Sequence, residues 1–547
     1  LPHSQFSAVL NSAEQSLAEF DWMQASVALQ EMPVDGLSSN DDTYVGYLQA
    51  RIAYVRGDQL QALEQLEQLD YPGINPALHY RILSFKHYIL ETQGDSLASA
   101  QLADQILRGT QEDTAAAWKR SVWQNLERTD KQQLLTAFPN AADPQWRGWL
   151  ALALINRQTD SEMQRELVQW RTENLGHPAA NPLPGGLDYL LAPSTQNGKV
   201  ALILPLSGQL AQAGKAVLDG FLAAHYADSS TGQATNELLV IDVGEFPSAS
   251  NAYDEALREG ASIVVGPLSK EALADLATRP ERPIPILALN RIDPILPAQG
   301  SALVQLSLAP EDEAISVAEL AFGRGARRAI IITPAGDWGS KVETALRERW
   351  GSLGGAIASN TTYSTYDDYS SSVTSALALD TSEQRASDLR TTIGINIEFT
   401  PRRRQDADAI FLLSHNGTEA RSIRPLLAFH YAGDLPVYAI SNIYNGIPDE
   451  RNQDLNGIQL VETPWLLGAN PDLLAALATG DAKSGNYTRL NALGADAYLV
   501  QSNFLRLQSG ADALMRGNTG LLSMDPTLSI KRQLSPATFD AGTLKAQ

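Results

Sequence analysis

Hydrophobic positions follow two rhythms along this chain, and the change between them lies near residue 177. Before it, apolar residues recur every three to four positions, the period of an amphipathic helix. "DDTYVGYLQARIAYVRGDQLQALEQLEQLD" keeps this spacing on both sides of Gly57-Asp58, and "ALHYRILSFKHYILETQGDSLASAQLADQIL" repeats the plan around Gly94-Asp95. Each copy reads Gly-Asp-x-Leu and then small residues, Ala62 in one and Ala98 and Ala100 in the other. The interval between the two glycines is close to the tetratricopeptide period of about 34 residues. "WKRSVWQNLERTDKQQLLTAF" reads as a third, degenerate unit. The pattern predicts either a curved stack of helical hairpins, with extended surface for partners, or an ordinary helical bundle.

From Lys199 onward, short continuous apolar runs alternate with amphipathic segments. The runs are "VALILPL", "ELLVIDV", "SIVVGPL", "IPILALN", "RAIIITP", "DAIFLLS" and "LPVYAIS". Between them lie segments such as "SNAYDEALREG", "KEALADLATR", "GSKVETALRERWGSLGG" and "TEARSIRPLLAFHYAG". This alternation predicts parallel sheets covered by helices on both faces. The stretch is long for one sheet, so two α/β lobes are expected. The joining segment "HPAANPLPGGLDYLLAPSTQNG" has four prolines and three glycines, the punctuation of a linker. Its Leu187, Tyr189, Leu190 and Leu191 give it residues able to dock on a domain. The expected organisation is a helical repeat domain over 1–177, a Pro/Gly linker over 178–198 and a two-lobed α/β domain over 199–547.

The chain has 547 residues, which suits about two to four domains. Its net charge of −22 argues against nucleic acid, and against anionic lipid held by a basic surface, because both need clustered Lys and Arg. The absence of cysteine excludes disulfides, thiolate metal sites and a Cys nucleophile. No apolar run reaches the length of about 18 residues that spans a bilayer. Leu1 is not an initiator Met, so a removed leader is expected, and an anchor lost with it would leave no trace in these residues.

The segment "KVALILPLSGQLAQAGKAVLDGFLAAH" has the layout of a phosphate-binding loop but fails in detail. Gly208 and Gly214 enclose five residues where four are needed. Lys215 is followed by Ala216 in place of the magnesium-binding hydroxyl. No Gly-x-Ser-x-Gly elbow and no Ser-x-x-Lys occurs, and the seven histidines form no His-Glu-x-x-His. His79 and His87 share a probable helix face but lie two turns apart, too far for one zinc ion. "PEDEA" (310–314) has three adjacent carboxylates, which read as a helix start: Pro310 at the first position, acids where the macrodipole favours them. "FHYAGDLP" reads as a helix end with Gly433 as the C′ residue, which makes His430 and Tyr431 structural. No catalytic residue, metal site or cofactor is expected.

"LPLSGQLAQAGKAVLDGFLAA" resembles the opening strand, turn and helix of the type I periplasmic-binding-protein fold. More narrowly, "VQLSLAPEDEAISVAELAF", "PRRRQDADAIFLL", "RSIRPLLAFHYAGDLPVYAIS" and "DLNGIQLVETPWLL" resemble the LppC/LpoA family, the outer-membrane lipoprotein activators of class A penicillin-binding proteins. The helical half agrees with that family's tetratricopeptide-like N-terminal domain. The resemblance implies a non-enzymatic periplasmic protein, tethered to the inner leaflet of the outer membrane by an N-terminal lipid. It would stimulate a bifunctional peptidoglycan synthase through its C-terminal domain, while the helical domain supplies reach. Contact with peptidoglycan itself stays open. The family's lipidated cysteine is not in this sequence.

A solute-binding receptor is the competing reading, because that fold holds ligands between its lobes. The matching turns carry Ser207, Gly208, Ser269 and Asn290 on one lobe, and Asp337, Trp338, Ser441 and Asn442 on the other. The same residue types also cap helices, and none of these positions offers an Arg or Lys to pair a ligand carboxylate. Arg402, Arg403 and Arg404 form the most basic run of an acidic chain. They are either a solvated loop paired with Asp406 and Asp408, or a docking element for the partner.

Overall fold

The computed structural model describes residues 4–33, 36–69, 73–158, 160–191, 198–230, 236–292, 299–394, 399–478, 487–509 and 513–547. Leu1 and residues 192–197 of the expected linker lie outside the described residues. The helical half forms as the period predicts, from Ser7–Ala18 to Asp160–Glu173. Ser39–Val55 and Gln59–Glu67 form one hairpin, and Pro76–Gln93 and Ser96–Arg108 the next. Both Gly-Asp pairs act as punctuation. Gly57 and Gly94 take φ of 94° and 81°, conformations a side chain resists. Asp58 and Asp95 cap the following helices by accepting from the Gln61 and Ala98 N–H groups. Ala62 and Ala100 are fully buried where the helices meet. The third unit, Glu112–Arg128 and Lys131–Asn140, turns without a glycine, and Asp130 caps its second helix.

The chain packs as two compact units. The first comprises Leu1–Asn125, Ala314–Ile443 and Arg451–Leu460; the second comprises Leu126–Glu313, Tyr444–Glu450 and Val461–Gln547. Each joins part of the helical half to one α/β lobe.

The second unit holds five parallel strands: Lys199–Leu204 (β1), Leu238–Asp242 (β2), Ala261–Val265 (β3), Ile286–Ala288 (β4) and Leu303–Gln305 (β5). Their order is β2-β1-β3-β4-β5. Val200, Leu202 and Leu204 face Val217, Phe221 and Val500, while Ala201 and Ile203 face Tyr253 and Leu273. Both faces are therefore covered, as the continuous apolar runs require. Gly214 lies so close to the end of β1 that a Cβ there would sit 2.0 Å from the Pro205 carbonyl. That close approach of helix Ala211–Ser230, not phosphate binding, accounts for the glycine. An antiparallel meander (Met515–Arg516, Leu521–Met524, Ile530–Gln533) and the hairpin Ser535–Asp540 with Thr543–Ala546 complete the unit.

The first unit repeats the topology with Arg328–Pro334 (β6), Ala356–Tyr363 (β7), Ala409–Leu412 (β8), Val437–Ala439 (β9) and the start of Gln459–Glu462 (β10). Within the unit these five strands of a seven-stranded sheet run in the order β7-β6-β8-β9-β10, again the doubly wound 2-1-3-4-5 pattern. In such sheets the carboxyl ends of the strands carry the functional loops.

Each unit fastens its helices to its lobe with a buried arginine. In the first, the Arg327 guanidinium lies 3.8 Å from the Phe322 ring centroid and 5.0 Å from that of Tyr54. It donates to the carbonyls of Tyr54, Phe322 and Ala326. Burial, opposed mainly by Tyr54, lowers its pKa. Beside it Gly57 and Gly325 touch backbone to backbone: a Cβ on Gly57 would lie 2.3 Å from the Gly325 carbonyl. In the second unit, Arg516 donates to the carbonyls of Glu127 and Thr129, and burial pulls its pKa down to about 10. The buried Glu127 carboxylate pairs with Arg157 at 2.9 Å. The linker segment Pro184–Leu191 docks on this unit, with Leu187 fully buried and Arg506 donating to Gly185 O at 2.9 Å.

Candidate functional site

At the strand ends of the second unit, the four candidate positions serve their own lobe. The Ser207 hydroxyl bonds to Asp242, whose carboxylate also accepts from the N–H groups of Leu206 and Gly244. Burial pushes the Asp242 carboxyl up, but these donors outweigh it and hold it below the usual carboxylate range. Gly208 takes φ of 72° in the exposed turn. Ser269 caps helix Lys270–Ala277 by accepting from Ala272 N. Asn290 donates to Leu268 O at 2.7 Å and accepts from Arg291 N.

The first unit presents a different surface. Asp337 opens helix Asp337–Leu353 and is exposed. Trp338 lies against His415, with ring centroids 4.7 Å apart and planes 36° from parallel. Ser441 is buried, while Asn442 reaches the His415 carbonyl at 3.5 Å. Glu419 organises the cluster: it accepts from Tyr363 Oη at 2.8 Å and His415 N at 3.0 Å, and its other oxygen is 3.3 Å from His415 Nδ1. Burial, reinforced by Glu419, pushes the Tyr363 phenol far up, so it stays a donor. His415, Glu419 and Tyr363 were not among the expected site residues. They come from separate elements, and only the fold brings them to Trp338. No described hydroxyl is hydrogen-bonded to the second nitrogen of His415. The cluster is suited to stacking and contact rather than nucleophilic attack.

The arginine run is only partly a free positive patch. Arg404 pairs with Asp406 at 2.7 Å, and Arg403 pairs with Asp434 at 2.5 Å while donating to Tyr431 O. Asp408 does not pair with the run; it accepts from the N–H groups of Arg327 and Arg328. Arg402 is exposed, and no described carboxylate lies within ion-pair distance of it. The adjoining helix Gly417–Phe429 ends differently from expectation. The left-handed residue is Tyr431, at φ 61°, not Gly433, and Ala432 N closes the turn on Leu427 O. The chain thereby exposes Phe429 and Tyr431, at 75% and 63%. A bulky residue in that conformation is strained.

The acids of "PEDEA" stand in the first turn of helix Pro310–Gly323, the expected helix start, and two of them do more than that. Asp312 and Glu313 are buried in the second unit. Asp312 takes a bidentate pair from Arg291, and Arg532 lies 3.8 Å from each carboxylate. Nearby, Arg489 pairs with the buried Glu462 and donates to Tyr444 O at 2.9 Å. Among the described residues no group of three or more His, Asp or Glu is placed to hold a metal ion, and no helix is long and apolar enough to cross a membrane.

The comparisons with known proteins agree with this architecture. A family model described as "LppC putative lipoprotein" matches residues 3–542. The penicillin-binding protein activator LpoA of Photobacterium profundum is 26% identical over 536 residues, covering 96% of this chain and 86% of that protein. LpoA of Vibrio cholerae is 28% identical over 424 residues, covering 76% of this chain and 69% of that protein. Full-length LpoA from Haemophilus influenzae shares the fold, with a TM-score of 0.53 at 22% identity over 99% of this chain and 95% of the other. Its C-domain, described as a regulator of PBP1A, matches with a TM-score of 0.51 at 23% identity, over 64% of this chain and 99% of that domain. The expected fold, a helical N-terminal part with a two-lobed periplasmic-binding-protein-like part, is the fold of these relatives. This chain belongs to the LppC lipoprotein family.

Proposed function

We propose that this protein is a non-enzymatic activator of a class A penicillin-binding protein, acting in the periplasm on peptidoglycan synthesis. The observation that carries the reading is family membership over residues 3–542, with one relative named as an activator aligned over 96% of the chain. The site geometry supports it: the second unit's strand-end side chains are engaged by their own loops, and the first unit exposes aromatic and arginine side chains of the kind that anchor protein interfaces. The partner surface we assign is the first-unit patch around Arg402, Phe429 and Tyr431, with Arg403 and Arg404 holding its loop in place. An N-terminal lipid at the inner leaflet of the outer membrane fits the lipoprotein family. The α/β part over 199–547 is the synthase-binding part, and the helices over 1–177 supply reach.

Direct binding tests this. The purified protein should capture a purified class A synthase, and F429S together with R402S should weaken capture about tenfold or more while the melting temperature holds. Failure to bind any class A synthase of its own organism would defeat the proposal.

A further inference from the structure

Among the described residues of the first unit is a cavity of about 420 Å³, remote from the strand ends. That volume lies within the range of about 300–1,000 Å³ typical of small-molecule sites. Its walls are aromatic, chiefly Tyr47, Phe85 and Tyr88, and its charges come from Arg51 and Arg81. No carboxylate, amide side chain or lysine lines it. Glu14, just outside the lining, is engaged already: it takes Arg81 Nη1 at 2.7 Å and the Tyr44 hydroxyl. Arg51 stands 3.6 Å from the same oxygen, an ion pair but not a hydrogen bond. Two guanidiniums facing one carboxylate leave one positive charge in excess.

The third feature is Ser84. The residue is among those lining the cavity, while its Oγ is turned into the protein, buried, with no hydrogen-bond partner among the described residues. A buried hydroxyl without a partner is costly, so a group that bonds to it would be favoured. We propose that this cavity binds the carboxyl end of a peptide whose last residue is aromatic. The ring packs edge-to-face among Tyr47, Phe85 and Tyr88. The carboxylate meets the Arg51 and Arg81 guanidiniums, and the terminal peptide N–H donates to Ser84 Oγ once a χ1 change turns that hydroxyl into the cavity. A sugar fits poorly, because its many hydroxyls would find few acceptors on these walls.

The test titrates the full chain with N-acetyl-L-phenylalanine, its carboxamide and 3-phenylpropionate, read by calorimetry or ligand-observed NMR. The acid should bind saturably, the carboxamide about tenfold more weakly for want of the charge-assisted bonds, and 3-phenylpropionate several-fold more weakly for want of the N–H. R81Q should weaken the acid about tenfold. S84L adds bulk to the cavity wall and removes the unpartnered hydroxyl, so it should weaken the acid at least tenfold, with circular dichroism showing that the variant is folded. If R81Q does not fold, S84L decides. Equal binding of acid and carboxamide, or binding that S84L does not weaken, would overturn the site. 3-Phenylpropionate binding as tightly as the acid would overturn the peptide assignment, and no saturation by about 10 mM would overturn both.

Discussion

The two units share a strand order and differ in how they hold their helices and in what they leave exposed. The first fastens its helical layer by shape: Gly57 against Gly325, and a guanidinium between two rings with carbonyls around it. The second fastens its layer by charge, with Arg516 on carbonyls beside the buried Glu127–Arg157 pair. The strand ends diverge in parallel. In the second unit Ser207, Ser269 and Asn290 are engaged by their own loops. In the first, Trp338 and His415 lie tilted against each other, and at the other end of the sheet Phe429 and Tyr431 face solvent where helix Gly417–Phe429 closes. One strand order repeated twice thus differs in which side chains its loops engage and which they leave exposed.

The largest expected effect is in the charged joint. Glu127→Ala would strand Arg157 in a buried site and cost about 3–5 kcal/mol, seen as a lower unfolding midpoint in urea. A smaller loss would mean that water or a neighbour compensates the charge.

The two Gly-Asp turns sharpen the shape-based joint. Gly57→Ala adds a clash with Gly325 O to an unfavourable φ and should cost about 3–4 kcal/mol. Gly94→Ala has the same sign of φ but open space around it, and should cost about 1–2 kcal/mol. Equal losses would show that the contact with Gly325 contributes nothing.

The smallest effect is in pH. Asp242 and Asp406 both have pKa values below the ordinary carboxylate range in the folded protein. Donors overcome burial at Asp242, and Arg404 and then Arg328 hold Asp406 down. A depressed folded pKa means the unfolded state binds the proton first. Their contribution is therefore complete above the unfolded pKa of about 4 and is lost as pH falls below it. Asp242→Asn should flatten the decline in melting temperature between about pH 5 and 3; an unchanged slope would place the acid sensitivity elsewhere.

Much of this was legible from the chain. All seven apolar runs became strands: the central ones are buried on both faces and so must be apolar throughout, and β2 is a half-exposed edge. β7 was not legible: "AIASNTTY" is a half-exposed edge strand with no apolar face to announce it. Helix Leu379–Ile393 is almost wholly exposed and equally silent. Gly57 was readable as a turn, but its approach to Gly325 is a tertiary fact without a local signal. The same holds for the approach of Trp338 to His415, whereas Glu419 meets that histidine locally, four residues on. The C′ position fell to Tyr431 rather than Gly433, where the glycine rule predicted otherwise.

The central claim is activation without catalysis. Its most direct measurement adds the purified protein to a purified class A synthase of the same organism, and follows glycan polymerisation and peptide crosslinking on lipid-linked substrate. The account predicts a rise in synthase turnover that saturates near one activator per synthase, is reduced by F429S together with R402S, and vanishes when the synthase is omitted. No stimulation despite binding, or product formed by this protein alone, would contradict it.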